Sequence, residues 1–365
     1  MLKLKLTNVS FIRFFSKNKK LKVFLLLALP LLAILSCNTT EPTDEIKPGS
    51  RNYEWTLDTL KLKNGDFLTL TRMWANSSND VWTIGFGDVS RNLIWHFDGN
   101  RWSTDSIPRG MSPTGIFGFG SNNVWLGTAE GAFWHYNGST WSEISKHSIT
   151  GYDRVVIENI WGSASNNIYA VGFAENYVTS EYKAILMKYN GLKWDFVQIP
   201  DLQLSFTNIR QQQSTGLFII SAYNLAGTNN NNRLIIYKGA DFTEINAGNS
   251  STTIYDMNGE VYITMGRKIY KYLNNQLTLW KDLSSNFFGY GIYGKTEKDF
   301  FSFADAGISY SKDMVGHYNG TDFKILLETN LHYTGAGAYV DNNIFVTAFD
   351  DSSNSSVIIH GKIKE

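Results

Sequence analysis

The residues of this 365-residue chain whose types could do chemistry are six histidines, a scatter of carboxylates and one cysteine. His96, His135 and His317 each precede an aromatic residue and an Asp-Gly or Asn-Gly pair, and His360 stands close to the same place. A zinc site needs ligands that converge on one point. Histidines that recur tens of residues apart at one position of a repeat point instead to a structural pairing made once per unit; His147 and His332 are isolated. Gly289-Tyr290-Gly291-Ile292-Tyr293-Gly294 has the spacing of a dinucleotide loop, but that loop must join a strand to a helix, and Ile292 and Tyr293 fall where a strand is expected. Asp350 and Asp351 are adjacent on a strand-like segment and point apart, which argues against a shared proton or calcium. No Gly-x-Ser-x-Gly, His-Glu-x-x-His, P-loop or EF-hand pattern is present. The sequence therefore assigns no catalytic residue, no metal ligand and no cofactor.

The remaining candidates are aromatic, carboxylate and basic residues in segments of variable length: Arg91, Glu175, Tyr177, Tyr182, Tyr223, Asp305, Tyr310 and Asp350. A flat ring can cover the apolar face of a sugar or peptide while polar groups take its hydroxyls or amides. Such groups work when a rigid scaffold holds them, because function concentrates on loops between fixed elements.

That scaffold is visible as a repeat. Asn-Asn, an apolar residue and an aromatic recur at Asn122-Asn123-Val124-Trp125, Asn166-Asn167-Ile168-Tyr169 and Asn342-Asn343-Ile344-Phe345. An aromatic-x-Gly turn follows the first two and His360-Gly361 the third, and a Trp or Phe (Trp102, Trp141, Trp194, Phe242, Trp280, Phe323) comes later in all units but the seventh. Equivalent inner positions at Trp74, Phe117, Trp161, Arg210, Tyr255, Tyr293 and Gly337 lie about 44 residues apart, the period of four-stranded propeller blades. The Asp98-Gly99 pair is expected to turn a two-residue hairpin. Because the seventh unit stops after three strands and an alternating strand, Trp55 to Leu62, precedes the first, the N-terminal strand is expected to complete the seventh blade, with Trp55 in the role of Trp102 and Trp141. Closure of this velcro kind leaves no free sheet edge.

The fold class is thus all-β, a seven-bladed β-propeller of four-stranded antiparallel blades closed by the N-terminal strand. On the Trp161 to Gly172 segment and the His-Tyr-Asn-Gly turns at His135 and His317, the chain resembles seven-bladed propeller lipoproteins exported by gram-negative bacteria of the Bacteroides type. WD40, kelch and Asp-box signatures are missing, so no functional residue of those families carries over.

The first segment has a secretory character. Seven basic residues precede the apolar run Val23 to Leu35, which is too short to span a bilayer. It ends Ile34-Leu35-Ser36-Cys37, which resembles a bacterial lipobox around the single cysteine. The expected organisation is a lipoprotein signal peptide at 1–36, a lipidated Cys37 with a flexible tether at 37–50, and the propeller at 51–365. Cleavage before Cys37 removes seven of 33 basic residues and none of 33 acidic ones, leaving a net charge of −7. That sign argues against nucleic acid, whose phosphates need a basic surface. With no second cysteine, no disulfide within the chain holds the fold, and a sequence that is 43% hydrophobic supplies the core instead.

Asn38 is not the aspartate that retains lipoproteins in the inner membrane, so the outer membrane is the expected location. The expected function is a non-enzymatic binding or scaffold propeller that recognises an envelope protein or a glycan through its loop-rich face, with a membrane contact through Cys37. The alternative is a carbohydrate-active enzyme (glycoside hydrolase, lyase or glycosyl transferase) on the same scaffold.

Overall fold

The computed structural model describes residues 49–62, 66–88, 90–225, 231–239, 241–284, 288–304 and 313–364. All of the described residues belong to one compact unit, Pro48–Glu365. The signal segment, Cys37 and the tether up to Pro48 lie outside the described residues, as do Asp305 and Tyr310.

This unit is a seven-bladed β-propeller of four-stranded antiparallel sheets. Blade 1 runs from the centre outward as Leu68–Ser77, Asp80–Gly87, Ile94–Phe97 and Trp102–Ser103. The inner strands of blades 2 to 7 are Pro113–Gly118, Arg154–Ala164, Ser205–Gln211, Thr252–Met257, Phe288–Thr296 and His332–Val340. Second strands read as continuous apolar runs because they are covered on both faces. Val124–Thr128 is buried at every position. Outer strands are covered mainly on one face, and Trp141–Lys146 buries its tryptophan while four of its other five residues are exposed.

The first strand, Tyr53–Leu60, pairs with Ser355–Ile363 and completes blade 7, with Trp55 opposite Gly361. Its tryptophan packs as Trp102, Trp141 and Trp194 do, on the second-strand aromatic of the preceding blade. Trp55 meets Phe301 at 6.4 Å, Trp102 meets Phe345 at 6.4 Å, Trp141 meets Trp82 at 5.5 Å and Trp194 meets Trp125 at 5.9 Å, all nearly edge-to-face. Each such contact contributes about 0.5–1.5 kcal/mol beyond area burial. The core accordingly lies between adjacent sheets; one cluster joins Phe133 of blade 2 to Ile157, Ile160 and Trp194 of blade 3.

Three local expectations are corrected. Cross-strand pairing makes Gln211 and Ala338 the equivalents of Trp74, since they face Phe218 and Phe345 as Trp74 faces Trp82; Arg210 and Gly337 are each one residue off. The slips follow from irregular register within the inner strands, where one residue is skipped in blade 4 and three in blade 7. The Asp98-Gly99 turn is not a two-residue hairpin, for Phe97 pairs with Trp102 and four residues lie between. Only Gly99 there has positive φ, at 93°, while the Asp98 carboxylate accepts from the N–H groups of Asn100 and Arg101 at 2.9 Å. Finally, Glu175, Tyr182, Tyr223 and Asp350 belong to strands and not to loops. Blades 3 and 7 extend their second and third strands as ladders, which shortens the turns to 177–180 and 351–354.

Candidate functional site

The recurrent histidines are tied down locally. The Asp80 carboxylate accepts from Trp82 Nε1 at 2.9 Å and lies 2.8 Å from His96 Nε2. Asn123 Oδ1 does the same for Trp125 at 2.9 Å and His135 at 3.0 Å. His317 reaches Asp299 at 2.8 Å, and His360 reaches Asn343 at 2.8 Å. Each imidazole also lies against the aromatic opposite it, with centroids 4.0–4.5 Å apart. An oxygen that can only accept fixes the Nε2–H form, so these are second-to-third-strand clasps in blades 1, 2, 6 and 7. His147 bonds Ser145 and His332 pairs with Asp351. Among the described residues no three His, Cys, Asp or Glu groups gather as metal ligands.

Blades 3, 4 and 5 lack the clasp. Their third-strand residues at the histidine position are Lys188, Tyr237 and Lys271, facing Tyr169, Phe218 and Tyr262. The two lysines lie over those rings at 5.2 and 5.0 Å, replacing an imidazole stack with a cation–π contact.

Of the residues singled out in the sequence, Glu175, Tyr177 and Tyr182 come together on blade 3. Glu175 accepts from Arg154 Nε at 2.7 Å and from the Tyr182 hydroxyl at 3.0 Å, a bond that pushes the Tyr182 phenol above its ordinary range. Arg154 also covers the Tyr177 ring at 5.6 Å. Tyr223 sits on blade 4, where its hydroxyl accepts from Asn231 at 3.0 Å. Asp350 accepts from the hydroxyls of Ser352 and Ser353 at 2.6 Å, which hold its carboxyl below the usual range. Arg91 belongs to the 3-10 turn Ser90–Asn92. Glu175, Tyr177, Tyr182, Tyr223 and Asp350 are engaged within their own blades and are not joined into one constellation.

The convergent site lies at the axis. Inner strands skip register at Leu70/Arg72, Pro113/Gly115, Ile157/Asn159, Phe206/Asn208, Phe288/Tyr290 and Tyr333/Gly337, and blade 5 alone among the seven inner pairs has no shift. A bulge re-aims side chains and bends the strand, and here the bent strands surround a cavity of about 360 Å³ lined by all seven blades. Gly289 and Gly291, part of the dinucleotide-like pattern, are bulge residues of an antiparallel strand with φ of 141° and 86°. A Cβ on Gly291 would stand 2.8 Å from the Tyr333 hydroxyl, so glycine there makes room for that phenol.

Arg210 is held by four acceptors, Asp256 at 2.7 Å, Asn159 at 3.1 Å, Asn208 at 2.8 Å and its neighbour's carbonyl at 2.7 Å. Arg72 is held more loosely: one nitrogen donates to the Thr71 carbonyl at 3.0 Å and another stands 3.7 Å from Glu158, too far for a hydrogen bond. Burial pushes the Glu158 carboxyl up, against the pull of Arg72 and Arg154. Tyr255, Tyr293 and Tyr333 complete the wall, with the last two hydroxyls 3.1 Å apart. Burial raises all three phenols, so they stay neutral donors. Ser251, Gly266 and Gly289 bring the cavity to the face that carries the blade-to-blade links and the turns between second and third strands. Tyr290 stands exposed at that mouth, and the same face exposes Phe86, Tyr177, Val178 and Leu225.

Arg72, Arg210 and Glu158 were not among the sequence candidates. The available signal was a charge on an innermost strand, which in a propeller faces either a packed neighbour or the axis.

The architecture defines the class as a seven-bladed β-propeller, here with a polar axial cavity. No family model matches the sequence, and no curated protein sequence matches it. Among solved structures it is similar to YCF48 bound to D1 peptide, at 12% identity over 88% of this chain and 100% of that one, with a TM-score of 0.56. It is similar also to YCF48 from Cyanidioschyzon merolae (12% identity, 84% and 98% covered, TM-score 0.53). A third similar structure is the Myceliophteria thermophila Cps50 (Swd1) β-propeller domain (8% identity, 85% and 100% covered, TM-score 0.55). At these identities the likeness is one of fold.

Proposed function

We propose that this protein is a non-enzymatic binding propeller, lipid-anchored through Cys37 at the outer membrane of a gram-negative cell, that takes hold of a segment of an envelope protein at the mouth of its axial cavity. The observation that carries the reading is the asymmetry of the axis. Seven repeats converge there, yet they line it with two guanidiniums and three neutral phenols, and Arg72, 3.7 Å from a carboxylate of raised pKa, is left in reach of an incoming acceptor. Carboxylates near the axis are each engaged by a different arginine, Glu158 by Arg72 and Asp256 by Arg210, an arrangement suited to holding and not to proton exchange. That a propeller of this fold, YCF48, is found bound to a D1 peptide supports a peptide ligand. The exposed apolar groups around the mouth supply a rim that a protein surface can cover.

A photo-crosslinking residue at position 290, at the mouth, is expected to trap a discrete partner in intact cells, with the adduct lost in Arg72→Gln. The same probe at position 192, 88% exposed on the opposite face, is expected to trap none. Equal adducts at both positions, or none at either, would end the reading. Anchoring is tested separately by tritiated palmitate, whose incorporation and membrane fractionation should both be lost in Cys37→Ala.

A further inference from the structure

Blade 5 departs from the clasp in a way that opens a second pocket. Glu260 stands two residues before Tyr262, where Asp80 stands before Trp82, and Lys271 faces Tyr262 as His96 faces Trp82. In the clasped blades these two positions bind each other. Here they part: Glu260 accepts from Gln212 Nε2 of blade 4 at 2.9 Å, while Lys271 bonds Glu297 of blade 6 at 2.6 Å. Between blades 4 and 5, on the face opposite the axial mouth, lies a cavity of about 420 Å³.

Its lining has a consistent chemistry. Gln212 is 3% exposed, and its Oε1 has no hydrogen-bond partner. A buried amide oxygen left unpaired is costly, so a ligand that donates to it would gain. Ser214 and Thr215 add hydroxyls, Asn274 and Asn275 add amides, and Leu217 and Tyr272 supply apolar wall. Asn274 and Asn275 both hold positive φ, 51° and 60°, which sets a tight and preformed rim.

Charge decides the ligand class. Lys271 is neutralised by Glu297, whereas Glu260 is bonded to a neutral amide, so the pocket repels anions. A divalent cation would find a single carboxylate, with the Lys271 ammonium in the same lining, where a calcium site gathers about six to eight oxygen ligands. A neutral ring edged with hydroxyls and bearing C–H faces satisfies carboxylate, amide oxygen and apolar wall together. We propose that the pocket between blades 4 and 5 binds a neutral sugar, with Glu260 and Gln212 Oε1 taking ring hydroxyls and Leu217 and Tyr272 meeting its C–H surface. This site is independent of the axial cavity and stands or falls without it.

The test is saturation-transfer difference NMR on the protein with the methyl glycosides of glucose, mannose and N-acetylglucosamine at millimolar concentration. At least one is expected to receive transfer, strongest at ring C–H protons. Thr215→Trp, an exposed turn residue that a large ring would turn into a plug, is expected to weaken binding at least tenfold at an unchanged melting temperature. Glu260→Gln should weaken it comparably, while Leu192→Ser, on the same face but outside the pocket, should leave it intact. No transfer to any of the three glycosides, or transfer undiminished in Thr215→Trp, would overturn the proposal.

Discussion

Blades 6, 7, 1 and 2 form one contiguous half of the ring, and blades 3, 4 and 5 the other. In the first half an Asp or Asn oxygen clasps a histidine in every blade, and an aromatic ring stacks on each imidazole. The second half uses lysine or tyrosine at the same place and makes no such clasp. The first half also contains the seam where Tyr53–Leu60 pairs with Ser355–Ile363, the pairing that joins the two ends of the chain. Repetition there coincides with closure of the ring; departure from it coincides with the pocket between blades 4 and 5. A polar group repeated in register is holding the strands of its own blade together, whereas one that breaks the pattern is free to face something else.

The strongest way to break the comparison is to remove the residue at the acceptor position from one blade of each half. In Asp299→Ala the imidazole of His317, which is 0% exposed, loses its partner inside blade 6. Breaking a buried pair by taking away one member costs about 3 kcal/mol. Asn167→Ala, at the corresponding position of blade 3, loses a bond to Ser163 at an exposed site and should cost under about 0.5 kcal/mol. Urea unfolding of the two variants measures both, and equal losses would dissolve the distinction between the halves.

How far the sequence carried this picture depends on what repeats. The Asn-Asn-apolar-aromatic segments mark second strands because their register partners are the same in every blade, and the recurrent histidines pointed to pairing before their partners were known. Trp55 was placeable because its strand alternates and the seventh unit lacked an outer strand. The axial site was not legible in this way. Its geometry comes from bulges at Leu70/Arg72, Ile157/Asn159 and Phe206/Asn208, and an unpaired residue in a strand carries no composition of its own. The choice of Glu175, Tyr182, Tyr223 and Asp350 rested on loop length, and strands lengthened by pairing removed that basis for all four.

Acid sharpens the comparison within the clasped half, because two clasps use carboxylates and two use amides. Burial lowers His135 and His360, whose partners are Asn oxygens with no charge to offset it. A base whose folded pKa is depressed stays neutral while the unfolded chain takes up protons, so stability is full above 6.5 and falls as pH drops below that ordinary value. Asp80 behaves differently: burial alone would raise it, but the hydrogen bond and charge of His96 outweigh burial and lower it. Its contribution is present above 3.8 and is lost only as pH falls below that value toward the lowered folded pKa. Urea midpoints between pH 7 and pH 5 should therefore decline through the amide clasps. Asn123→Asp, which gives blade 2 the carboxylate of blade 1, should remove His135's share of that decline, about 1 kcal/mol or less. An unchanged slope in Asn123→Asp would mean that His135 is not among its sources.

The smallest expected effect on stability belongs to the axis, and its smallness is the point. Arg72 makes one hydrogen bond to its neighbour's carbonyl and a 3.7 Å approach to Glu158, with a third of its side chain exposed. Replacing it by Gln removes an ion pair of the partly exposed kind, worth about 0–1 kcal/mol. It also leaves Glu158 without its nearer cation, which should push that carboxyl further up, since burial already raises it. Both changes lower stability near neutral pH, because a carboxyl raised on folding is destabilising there, and uptake of a proton by Glu158 limits the loss. A urea midpoint within about 0.5 kcal/mol of the parent, together with loss of the adduct at position 290, would place Arg72 in recognition. A large loss of stability would instead make it one more member of the scaffold, and the axis would join the clasps as structure.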